Sequence, residues 1–170
     1  MPVGGSLSRR AQRAHELAEA VSRSDAATTL DPRLAALCDE LRTDGAALSA
    51  VSDRRVTLAG CGLVERVAPT GTHVPLDDAI CANVLRHDGL LAIPDTRLDA
   101  RVASIPVVLA GQVRAYLGSP VRCDGVLVGV LCVIAGEPRD WTADDEAVLT
   151  RYADEFAREL RQLQDGAALP

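Results

Sequence analysis

Apolar positions recur with a helical period at both ends of the chain and with a strand period between them. Near the start, Ala14, Leu17, Ala18 and Val21 fall at i, i+3, i+4 and i+7, with Arg13, Glu16, Glu19 and Arg23 between them. This is one face of an amphipathic helix, capped by Ser6 or Ser8 and running to about Ser24. Asp25 to Thr29 interrupts the pattern. Asp31-Pro32 then reads as a cap followed by a proline at the first helical position, and Leu34, Leu37, Cys38 and Leu41 repeat the helical spacing before Gly45. At the other end, Leu149, Tyr152, Phe156, Leu160 and Leu163 are spaced by 3, 4, 4 and 3 residues, a heptad-like seam on a helix from about Ala143 to Gln164. Thr142 and Asp145 have the form of a capping box at its start.

The middle of the chain is built differently. Ala46 to Val51 and Arg55 to Gly60 are short β-prone runs separated by Ser52-Asp53, which predicts a hairpin. Val64 to Pro75, with Pro69, Gly71 and Pro75, reads as loop. Leu76, Ile80, Val84 and Leu85 predict a helix over about Asp77 to Arg86, closed at Gly89. Leu90 to Ile93 is a short strand stopped by Pro94, and Thr96 to Ala110 is loop with some helix. Val113 to Val121 and Val126 to Ile134 are two strands joined at Cys123-Asp124-Gly125, and the Asp-Gly pair is a strong tight-turn signal. Hairpin connections without regular βαβ alternation predict an α+β domain with an antiparallel sheet. Residues 1–29 are expected to form an N-terminal helical extension, residues 30–164 the domain proper and residues 165–170 a disordered tail; residues 1–5, with one proline and two glycines, are also expected to be disordered.

Composition narrows the function classes. The chain has 170 residues, enough for one domain with a good core, and 48% of them are apolar. Aromatics are only 2%, which leaves no stacking platform for nucleic-acid bases, and a net charge of −6 argues the same way. All 18 basic residues are arginine, and the only cluster, Arg9, Arg10 and Arg13, reads as a solvated helix face. No stretch resembles a signal peptide, and the apolar run from Val126 to Ala135 is far shorter than the ~20 residues a membrane span needs. A cytoplasmic protein with no membrane and no nucleic-acid partner is therefore expected. Its five cysteines, at 38, 61, 81, 123 and 132, lack CxxC spacing and read mostly as reduced, buried small residues.

The second half carries a more specific pattern. It runs through Leu90-Leu-Ala-Ile-Pro94-Asp95, Asp99-Ala-Arg101, Ile105-Pro106 and Val113-Arg114-Ala115-Tyr116-Leu117-Gly118-Ser119-Pro120. It continues through Asp124-Gly125, Gly129-Val-Leu131-Cys132-Val133, and Pro138-Arg139 with Trp141-Thr142. In order and spacing this resembles a GAF domain of the branch common in bacterial signalling proteins, over about residues 30–163. The resemblance implies a profilin-like, PAS-related fold: about six antiparallel strands, terminal helices on one face, and a pocket on the other beneath residues 76–112. Two departures stand out. Ala135-Gly136 replaces an aspartate frequent in the family after that strand, and a chain without lysine cannot carry the signature of the cyclic-nucleotide-binding branch. The cysteine-histidine pattern of tetrapyrrole-attaching members is not evident.

On this basis the ligand-facing residues are expected to be Cys81, Leu85, Arg101, Ile105, Arg114, Tyr116, Gly118 and Cys132. Each has a plainer reading. Cys81 could be a redox switch or a small packing residue, and Cys132 sits in an apolar strand. Arg101 could meet an anionic ligand or pair with Asp95 or Asp99. Arg114 and Tyr116 share strand parity, and Tyr116 could present its hydroxyl to a ligand or form part of the core. Cys123, beside a turn, is expected to be the more exposed cysteine. His15, His73 and His87 have no metal-ligand spacing. The resulting expectation is a stand-alone, non-catalytic sensory domain. It would bind an unidentified small molecule or a signalling partner, with no metal or named cofactor and a possible homodimer through the terminal helices. A thiol sensor, a haem sensor and a methionine sulfoxide reductase-like enzyme are the alternatives.

Overall fold

The computed structural model describes residues 8–167. The expectations for residues 1–5 and for the end of the tail lie outside these residues.

Helix α1 (Arg9–Arg23) begins where Ser8 caps it: the side chain accepts a hydrogen bond from the Ala11 amide at 3.2 Å. Ala14, Leu17 and Val21 are buried, as the pattern predicts. The arginine cluster is not simply solvated, however. Arg10 donates to the carbonyls of Val51 and Ser52, and Arg13 to the carboxylate of Asp124. One helix is thereby fastened to two hairpin tips.

Helix α2 (Ala26–Leu41) corrects the expected start at Asp31-Pro32: Pro32 lies inside it. The apolar seam extends further back than the spacing suggested, through Leu30 to Ala26, and both are buried. In the second turn, a proline removes one backbone bond, to Thr28, without ending the helix.

Strands β1 (Gly45–Val51) and β2 (Arg54–Gly62) form the expected hairpin. The segment expected as loop after them holds a short helix, α3 (Leu63–Val67), and a strand, β3 (His73–Pro75), paired with β2. β3 is an edge strand, where a proline's missing donor costs little. The expected helix over 77–86 is also shorter. A 3-10 turn at Leu76–Asp78 gives way to extended backbone at Ala79 before α4 (Ala82–His87), which closes on Asp88 in the left-handed region. Ala79, Ile80, Cys81 and Ala82 are consecutive and all buried, which one helical face cannot supply.

The remaining elements are β4 (Leu91–Ile93), a 3-10 turn at Thr96–Leu98, α5 (Pro106–Leu109), β5 (Ala115–Cys123), β6 (Val126–Ala135) and α6 (Ala143–Ala167). The β5–β6 turn places Asp124 and Gly125 at φ 52° and 76°, as a two-residue hairpin loop requires. The capping box of α6 closes both ways: the Asp145 amide donates to Thr142 Oγ1 at 3.1 Å, and the Thr142 amide to Asp145 at 3.0 Å. α6 continues past Gln164 into what was expected as tail.

The six strands form one antiparallel sheet in the order β3-β2-β1-β6-β5-β4. Two cores lie on its opposite faces. On one, α1, α2 and α6 cover Leu48, Leu117, Leu131 and Val133. Here the α6 seam is consumed within the domain, with Leu149, Phe156 and Leu160 fully buried against the sheet. On the other, the segment from α3 to Val113 covers Ala47, Tyr116, Val130 and Cys132.

Candidate functional site

The second face encloses a cavity of about 480 Å³, within the roughly 300–1,000 Å³ typical of small-molecule sites. Val64 and Val67 of α3, Val74 of β3 and Val107 next to Pro106 in α5 supply apolar walls. Arg55, Tyr116, Cys132 and Ile134 form its floor on the sheet, and Cys81 stands in the side wall.

The expected residues divide sharply. Cys81, Tyr116 and Cys132 line the cavity; Leu85 and Ile105 belong to the apolar cluster behind it. Gly118 lies under the Tyr116 ring. Arg101 turns away and grips Asp99 with two hydrogen bonds, at 2.9 and 2.6 Å, so the local-pairing reading holds for it. Arg114 pairs with Asp95 at 3.1 Å and does not line the cavity. Asp95 also accepts from the Arg97 amide, while Thr96 Oγ1 donates to the Val113 carbonyl at 2.7 Å. The Asp95, Arg114 and Thr96 contacts fasten the end of β4 to the start of β5. Arg139 and Trp141 latch the same corner: the Arg139 amide and the Trp141 indole donate to the carbonyls of Pro94 and Ile93, and the guanidinium stacks on the indole. These motif residues hold the frame around the cavity. Cys123 is buried under α6, contrary to expectation, because its parity on β5 points it at the helical face.

The residue that sequence reasoning missed is Arg55. It is only 9% exposed, and its Nε donates to Ser49 Oγ at 3.1 Å. Among the described residues it forms no ion pair. A buried guanidinium without a carboxylate is costly and unusual. Beside it, the Tyr116 hydroxyl is 2% exposed as a residue and has no hydrogen-bond partner among the described residues.

Electrostatically the floor is a donor surface. Burial holds the Tyr116 phenol well above its ordinary pKa, with the neighbouring Cys132 and Cys81 thiols adding to the shift and Arg55 opposing it. Burial likewise pushes the Cys132 thiol up to about 12 and raises Cys81, again against the pull of Arg55. At neutral pH the floor and side wall together therefore offer one cation and three protonated O–H or S–H groups, those of Tyr116, Cys132 and Cys81. Asp78 and Gln112, at the lining's exposed edge, carry its side-chain acceptors. Protonated, desolvated thiols are poor nucleophiles. Among the described residues no cluster of three potential metal ligands exists, and no helix is long and apolar enough to cross a membrane.

A six-stranded antiparallel sheet with helices on one face and a walled cavity on the other defines an α+β domain with a pocketed face. The GAF domain family model matches residues 25–160, and the chain belongs to that family. No curated protein matches the sequence. Among solved structures, the GAF domain of a phosphoenolpyruvate-protein phosphotransferase from Coxiella burnetii superposes with a TM-score of 0.73 at 18% identity, covering 94% of this chain and 99% of that one. The phycocyanobilin-bound GAF domain of a cyanobacterial phytochrome gives 0.70 at 16% identity, covering 98% and 100%. The free methionine-R-sulfoxide reductase of Neisseria meningitidis, solved with its substrate, gives 0.65 at 18% identity, covering 96% of each chain. At these identities the likeness is one of fold.

Proposed function

We propose that this GAF domain is a non-catalytic sensory module whose cavity binds a compact organic anion, with an apolar body against the valines and a carboxylate-like head on Arg55 and Tyr116. The observation that carries this reading is the buried Arg55 guanidinium without a carboxylate, beside a buried tyrosine hydroxyl without a partner. Both groups are donors facing apolar space, and an anionic head supplies the charge and acceptors they lack. The protonated state of Cys81 and Cys132 favours binding over thiol catalysis. In this reading the state of the cavity passes through the sheet to α1 and α6, and from them to a protein partner or a second copy in the cytoplasm. With the α6 seam buried, a homodimer would use the outer faces of these helices.

Calorimetric titration of the purified protein with straight-chain and aryl-substituted monocarboxylates, each paired with its primary amide, tests the proposal. Carboxylates should bind and their amides should not. Arg55→Met should weaken binding about 10- to 100-fold, the range for a hydrogen bond to a charged group. Equal binding of acids and amides, or an Arg55→Met protein that binds as well as the parent, would reject it. Sedimentation over a range of concentrations reports on the dimer, and a monomer throughout removes it.

A further inference from the structure

Away from the cavity, two other thiols meet. Cys38, in the last turn of α2, and Cys61, near the end of β2, lie 23 residues apart in sequence, and their sulfurs approach to 3.5 Å. Both are free. A disulfide has its sulfurs about 2.05 Å apart, so roughly 1.5 Å separates this pair from bonding, within reach of small rotations of two side chains. Their environments differ. Cys38 is buried, whereas Cys61 is half-buried and open to a small reagent.

We propose that Cys38 and Cys61 form a reversible disulfide by exchange with a low-molecular-weight disulfide. The Cys61 thiolate attacks one sulfur of the reagent RSSR, breaking its S–S bond and releasing RS⁻, which takes up a proton. Cys38 then gives up its proton and attacks the Cys61 sulfur of the mixed disulfide, releasing the second thiol. Two protein thiols are oxidised, one RSSR is reduced to two RSH, and the protein loses two hydrogens.

The chemistry favours this order. The hydrogen bond between the two sulfurs lowers the Cys61 pKa to about 7; the Ala46 amide assists, while burial, Asp31 and Asp39 oppose. The same hydrogen bond, with burial, raises Cys38. An accessible thiol titrating near neutrality is a good attacking group, and a protonated neighbour in contact is placed to resolve the adduct. The bond would tie α2 to the end of β2. There Gly62, at φ 62°, turns the chain into α3, whose Val64 and Val67 wall the cavity.

The test incubates the whole protein with oxidised glutathione at a series of ratios to reduced glutathione, followed by acid quench, intact mass measurement and tryptic mapping. Cleavage at arginine separates the two cysteines onto peptides 34–42 and 56–66. The expected product has lost two hydrogens, retains no glutathione, joins these two peptides and reverts with dithiothreitol. Cys38→Ser should stop at one glutathione on Cys61, and Cys61→Ser should leave Cys38 unmodified. A stable glutathione adduct on Cys61 of the unsubstituted protein, a bridge between other cysteines, or unchanged thiols would overturn the proposal. The first readout needs no variant, so a misfolded substitution does not blunt it.

Discussion

The phenol of Tyr116 occupies the space that a side chain on Gly118 would fill. A Cβ at 118 would lie 2.6 Å from Tyr116 Oη and 2.7 Å from its Cε1, with Val84 Cγ2 at 2.8 Å. The two residues are two positions apart on one strand and share a face, so the glycine is what allows the ring to lie along β5. In Gly118→Ala the ring must leave, and with Val84 packed beside it the cavity is where room exists. The substitution should therefore cost about 1–3 kcal/mol, as overpacking does, and abolish carboxylate binding. Urea unfolding and the calorimetric titration measure the two effects.

Tyr116→Phe separates shape from polarity. It keeps the ring and removes its hydroxyl, which is buried without a partner. Stability of the empty protein should stay level or rise by up to about 1 kcal/mol, because an unsatisfied group is deleted. Carboxylate affinity should fall about fivefold or more. Thermal unfolding with and without ligand distinguishes this pattern from a packing role, in which stability would drop and affinity would not.

Thiol reactivity should divide by environment. With its thiolate favoured by the Cys38 donor, Cys61 should be alkylated by iodoacetamide at a rate that climbs as pH rises through about 7. Cys81, Cys123 and Cys132, all raised by burial, should stay unmodified in the folded protein at that pH. Cys38→Ala removes the donor and should shift the Cys61 midpoint upward. Peptide mapping after timed quench gives each rate.

Asp124 receives Arg13 of α1 and Arg161 of α6, each at 2.9 Å. Its carboxyl is held below the ordinary value, first by the Arg13 hydrogen bond and then by the Arg161 charge. Such a group stabilises the fold above its unfolded pKa, and the contribution disappears as pH falls through the lowered folded value. Asp124→Asn keeps a residue that tolerates the left-handed turn and removes the charge. It should lower the melting temperature slightly at neutral pH and low salt, with the difference vanishing in strong acid and in molar salt.

What the sequence disclosed follows from how local each signal is. The β5–β6 turn, the α6 capping box and the seams of α1 and α6 are set by residues close in the chain, and all stand where the spacing put them. The short α3 and β3 were hidden, because Pro69, Gly71 and Pro75 look like loop until β2 is present to pair with. Arg55 was illegible for a sharper reason. It adjoins Arg54, which is exposed, and nothing local distinguishes them. Only the pairing of Arg55 with Val51 and Val74 turns one inward. Arg101 and Arg114 misled in the opposite sense: each meets a carboxylate, Asp99 and Asp95, away from the cavity lining, although Arg114 Nε has no partner among the described residues. The meeting of Cys38 and Cys61 depends on how α2 crosses β2, which spacing alone does not encode.

Because side chains alternate along β5 and β6, Tyr116 and Leu117 look in opposite directions from adjacent α-carbons, as do Cys132 and Val133. The partition between the cavity and the helical layer is thus one peptide unit thick. Any displacement of the phenol would act on the same backbone that seats Leu117 in the core shared with Phe156 and Leu160. A change at the cavity floor need not travel along the molecule; it has only a thin wall of main chain to cross, and the helices already pack on the far side.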